Sequence, residues 1–92
     1  MKGLSEEDYE KLRRNIIKKL YAHNAFVEGH LLYERLATGI PSHLKGCVKE
    51  VLEELIKEGL VLQYGRTKHG VAYQLNIKQL AKIEKIISSA QP

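Results

Sequence analysis

Leu36-Ala37-Thr38-Gly39-Ile40-Pro41-Ser42-His43-Leu44 stops one helix and starts another. Gly39 can take a positive φ, and Pro41 cannot continue a helix. Ser42 is a good N-cap for the next helix. Upstream, residues 29–37 have helical spacing at Leu32, Leu36 and Ala37, which predicts a short helix. Downstream, Leu44, Val48, Val51, Leu52, Leu55 and Ile56 make the strongest helical stripe of the chain. Glu58-Gly59 closes it with the glycine expected just past a helix end. The spacing therefore predicts a long helix over residues 43–58.

Working outward, Ser5 with Asp8 three residues on reads as a helix start, and Glu6, Glu7 and Asp8 suit the positive end of its dipole. Tyr9, Leu12, Ile16 and Leu20 form one face, so a first helix is expected from Glu6 to about His23. After Gly59 the pattern changes. Residues 60–64 and 71–75 are short runs with β-branched and aromatic members, and Gly65-Arg66-Thr67-Lys68-His69-Gly70 lies between them. That is a β-hairpin signal, with Tyr64 and Tyr73 expected as cross-strand packing residues. Asn76 caps a last helix over residues 77–89, with apolar positions Leu80, Ile83, Ile87 and Ala90. The expected fold class is mainly α with a small β-hairpin, an α+β domain in the order helix, helix, helix, strand, strand, helix. One domain is expected over residues 1–92, with its core at about 5–76.

Two short helices joined by a glycine-containing turn form a helix-turn-helix unit. Residues 36–41 resemble the turn of the winged helix-turn-helix DNA-binding superfamily. Leu52-Glu53-Glu54-Leu55-Ile56-Lys57-Glu58-Gly59-Leu60-Val61 is similar to its junction between recognition helix and first wing strand. A leucine-spaced helix ending in Glu-Gly-Leu-Val recurs in bacterial and archaeal regulators, and the resemblance covers about residues 8–76. It implies a small transcriptional regulator that binds double-stranded DNA sequence-specifically. Residues 43–58 would enter the major groove, about 12 Å wide, and residues 65–70 would form a wing on the phosphate backbone. Off the apolar stripe, Ser42, His43, Lys45 and Lys49 are the candidate groove contacts, with Lys45 and Lys49 four apart on one face. Arg66, Lys68 and His69 are the candidate wing contacts, a cationic tip with no acid nearby.

Each of these residues has a plainer account. Lys45 and Lys49 also fit a solvated face, and hairpin tips are polar in most proteins. Glu50, Glu53, Glu54 and Glu58 make the third helix net acidic, though they crowd its C-terminal half. The first helix carries Lys11, Arg13, Arg14, Lys18 and Lys19. Arg14 and Lys18, four apart, read first as a charged solvent face and second as contacts to flanking phosphate.

The chain has 92 residues, 43% hydrophobic and 28% charged, a globular balance in a size that gains from a partner subunit. Its net charge of +4 is uneven: residues 1–58 balance ten bases against ten acids, whereas residues 59–92 hold five bases and only Glu84. A local basic field attracts polyanions. The lone Cys47 forms no internal disulfide, no apolar run approaches a bilayer span, and no apolar core follows Lys2, so a cytoplasmic protein without a membrane segment is expected. His43 and Cys47 stand four apart, a spacing two zinc ligands can use, but no second pair completes a tetrahedral set. No phosphate-binding glycine loop, nucleophile elbow or carboxylate cluster is present, so neither enzyme activity, a cofactor nor a small-molecule substrate is expected. The last helix's stripe sits near a coiled-coil repeat and suits packing on the first helix or pairing with its copy, and a homodimer is the expected assembly. Abundant Lys, Glu and Ile with sparse Gln point to a thermophile. A protein-interaction module and an RNA-binding module remain the alternatives to DNA.

Overall fold

The computed structural model describes residues 4–27 and 29–88. The first helix begins where the capping signal puts it: the Asp8 N–H donates to Ser5 Oγ at 3.1 Å. This helix, α1, spans Glu6–Ala22 and buries Leu12, Ile16, Ile17 and Leu20. Asn24, at φ 52, turns the chain out of it.

The second expected helix is half strand. Leu31–Leu32 form β1, and only Tyr33–Ala37 form α2. Leu31 and Leu32 imitate helical spacing, but they find ladder partners in Tyr73 and Ala72 of a later strand. A third strand relieves a hairpin that is marginal alone, so pairing overrides local spacing. The Gly29 turn leading to β1 is tight: a Cβ there would lie 2.3 Å from the Asn24 carbonyl oxygen.

Gly39 does take a positive φ, +82. Ser42, expected as an N-cap, is instead the first residue of α3, Ser42–Lys45; Pro41 holds the cap position and no side chain caps the helix. The long helix expected over 43–58 is interrupted. It resumes as α4, Val48–Lys57, after Gly46 and Cys47. Both linking residues keep right-handed helical angles. The Cys47 N–H bonds to the Leu44 carbonyl, a three-residue closure that tightens the winding there. Glycine's weak helix propensity accounts for a break at that point.

The hairpin is longer and its tip shorter than expected. β2 spans Val61–Thr67 and β3 spans Gly70–Leu75, so the predicted six-residue loop shrinks to Lys68-His69. Thr67 pairs with Gly70 and Arg66 with Val71. The ladder slips between Gln63 and Gly65, leaving Tyr64 as an extra, bulged residue. The sheet is antiparallel in the order β1-β3-β2. Tyr73 is buried opposite Gln63, whereas Tyr64 is exposed and stacks on His30 at 4.4 Å between ring centres, so the two tyrosines do not pair across the strands.

Asn76 caps as expected, accepting from the Lys78 N–H at 3.1 Å, but the turn it starts, Ile77–Gln79, is 3-10. The last helix proper, α5, covers Leu80–Ser88. Ser89 and Ala90 lie outside the described residues. α5 packs on α1: Ile83 is fully buried, and Tyr21 donates to Glu84 at 2.8 Å. The result is an α+β arrangement. The element order gains one strand ahead of α2 and splits the third helix in two. One cluster of buried side chains runs from Leu12 of α1 through Leu52 and Leu55 of α4 to Leu75 and Ile83. Among the described residues no helix is long and apolar enough to cross a membrane.

Candidate functional site

Two fastenings set the turn and the hairpin tip. The first is Lys19 on α1. Its ammonium donates to the Leu36 carbonyl at 2.9 Å and also to the Thr38 carbonyl, tying the end of α2 to α1. Those oxygens are among the carbonyls a helix end leaves without partners. Burial holds the Lys19 pKa below its usual value. Thr38 closes the same end by donating to the Glu34 carbonyl at 2.9 Å. The second fastening is Thr67. Its hydroxyl donates to the Gly70 carbonyl at 2.8 Å and accepts from the His69 N–H at 3.1 Å, which pins the two-residue tip.

Between these fixed points opens a cleft of about 700 Å³. Lys45 of α3 and Lys49 of α4 line one side, and His69 and Gly70 of the hairpin tip line another. α2 contributes Tyr33, Glu34 and Ala37, and β3 contributes Val71 and Tyr73. The helical interruption at Gly46-Cys47 leaves Lys45 and Lys49 together in this cleft. Burial raises the Tyr73 pKa, with Tyr33 and Glu53 adding to it, so this ring stays a neutral hydroxyl in the cleft wall. Two ammonium groups and an imidazole face one carboxylate, Glu34. The cleft can thus take a ligand with spread negative charge, and its aromatic walls offer flat apolar surface.

The structure thus brings together three of the seven residues expected in the site: Lys45, Lys49 and His69. Ser42 and His43 are exposed at the start of α3 but do not line the cleft. Arg66 and Lys68 are likewise exposed on the hairpin, outside it. Sequence reasoning misses Tyr33, Glu34 and Thr38, because it treats α2 only as a support for the turn. Tyr73, expected as packing, does both jobs. His43 and Cys47 gain no third ligand: among the described residues no three His, Cys, Asp or Glu side chains converge.

The acidic half of the third helical segment is partly neutralised. Glu58 accepts from the Arg13 guanidinium at 2.6 Å, and Glu54 lies 3.6 Å from Lys57 Nζ. Glu50 and Glu53 remain exposed. No family model, curated protein or solved structure matches this chain.

Proposed function

We propose that this chain is a winged helix-turn-helix protein that binds double-stranded DNA sequence-specifically as a small transcriptional regulator. In this reading α3 and α4 act as one recognition segment. Its N-terminal half, with Ser42, His43, Lys45 and Lys49, enters the major groove, and the hairpin tip with Arg66, Lys68 and His69 lies on the backbone. The observation that carries it is the shared cleft: two lysines of the helical segment and the histidine of the hairpin tip converge on it from elements far apart in sequence. Convergent cations on rigid supports suit a polyanion better than a scattered solvated face does. The main objection, the acidic C-terminal half of the segment, is weakened by the pairing of Glu58 with Arg13 and of Glu54 with Lys57. The reading needs no cofactor and no catalytic step.

The test is a duplex titration at two or more salt concentrations. Lys45→Ala with Arg66→Ala should weaken binding and flatten the salt slope by about one unit per lost phosphate contact. An unchanged slope counts decisively against the proposal. Structured RNA, run beside the duplex, separates the RNA reading. A dimer through α5 could not use Ile83, which is enclosed in the core, and Ile87 is already partly packed against that core; the mass in solution decides it. Docking onto another protein has its own support in exposed Val27, Leu62 and Tyr64. Retention of a protein by a chain that ignores DNA at low salt would favour it.

A further inference from the structure

A second cleft, of about 360 Å³, lies between α1 and the turn. Lys11, Arg14, Asn15 and Lys18 of α1 line one wall, and Gly39, Pro41 and Leu44 line the other. We propose that this cleft is a binding site for a phosphate group, separate from the cleft beside the hairpin.

Three cations line it and no carboxylate does. Among the described residues none of the three has an ion pair, whereas the neighbouring Arg13 is held by Glu58 and Glu10. The same-face acids of the helix, Glu7 and Asp8 before Lys11 and Glu10 before Arg14, form no ion pair with them, and Glu10 is engaged 3.8 Å from Arg13. Arg14 adds a second sign: its half-buried guanidinium makes no hydrogen bond or ion pair among the described residues, whereas Arg13, whose Nε is likewise sealed without an acceptor, is held by Glu58. A half-buried guanidinium without a partner is costly, and an oxyanion that reaches its outer nitrogens relieves that cost. Guanidinium binds phosphate through two parallel N–H donors, ammonium binds it as a point charge, and the Asn15 amide adds a neutral donor. Leu12, Ile40 and Leu44 supply an apolar floor that lowers the local dielectric and strengthens those attractions. The phosphate can come from a nucleic-acid backbone or from a free phosphorylated molecule. Only the first source rests on the DNA reading.

The experiment titrates the ¹⁵N-labelled full chain with inorganic pyrophosphate and follows the Gly39 and Leu44 amides and the Arg14 Nε–Hε signal by NMR. Saturable shifts at these three groups are expected. Arg14→Gln with Lys18→Gln should weaken them tenfold or more, Arg14→Lys, which keeps the charge but loses the paired donors, should weaken them less, and Lys82→Ala on α5 should leave them unchanged. No saturable shift at Gly39 and Leu44, or the same affinity in the double variant, overturns the proposal. A parallel titration with a short DNA duplex identifies the source. Shifts at the same groups that the double variant loses assign the site to backbone phosphate. Pyrophosphate binding without duplex binding keeps the site, assigns it to a free phosphorylated molecule and counts against the DNA reading alone.

Discussion

Lys19 is the residue on which the geometry of the turn rests. Its side chain is half-buried, and its ammonium reaches two carbonyls at the end of α2. Lys19→Met keeps the stem and removes the donor, leaving both oxygens to water or to nothing. The expected cost is about 1–2 kcal/mol of folding stability, read as a lower urea midpoint at unchanged slope. Nothing in the sequence marks this lysine. It is one of five cations on the first helix, and its acceptors lie 17 and 19 residues away. Helical periodicity reports which face a residue occupies, not what a long side chain reaches. Lys45, Lys49 and His69 are easier to find, because exposure and charge are local properties.

The elements differ in how much of their form is local. α1 follows from its cap and its apolar stripe, and the hairpin from two β-branched and aromatic runs around a glycine-bounded loop. β1 has no local signal, since two leucines beside a helical run acquire strand geometry only from β3. The interruption between α3 and α4 falls at a glycine that the stripe of Leu44 and Val48 conceals. Gly46 sits at φ −66 and ψ −15, and a Cβ there would meet nothing within 4 Å. Gly46→Ala should therefore stabilise the domain by about 0.4–1 kcal/mol, by restricting the unfolded chain and favouring the helix. Gly39→Ala has the opposite sign. That position also has open space around it, but its φ of +82 costs an alanine about 1 kcal/mol. Paired thermal melts of the two variants check both signs, and matching shifts in the same direction would refute the backbone account.

At the scale of the whole molecule the packing shows up in alkali. Tyr9 and Tyr73 have raised pKa values chiefly through burial, and Tyr21 through its hydrogen bond to Glu84. A tyrosine raised in the folded state keeps its proton where the unfolded chain releases it. Its contribution is complete below the unfolded value of about 10 and is lost as pH rises past it. Lys19, lowered by burial, acts in the opposite sense as pH approaches its own unfolded value of about 10.5. The tyrosine contribution should lower the urea midpoint as pH rises past about 10, with Lys19 offsetting part of it, and Tyr73→Phe should shrink the tyrosine share. The fold class is legible in the sequence because amphipathic stripes and a hairpin suffice to specify an α+β core. Half of the candidate site is not, because a cleft walled by α2, α3, α4 and β3 exists only after the chain has folded back on itself.

The stack of His30 on Tyr64, with rings 4.4 Å apart and 18° from parallel, joins the segment before β1 to the bulge in β2. Each ring lies in the magnetic shadow of the other, so their proton resonances carry an upfield displacement that depends on the hairpin staying seated. The chain has no tryptophan to crowd that part of a spectrum. This pair is a built-in gauge, needing no attached label, of whether the hairpin lifts from the body when a ligand arrives.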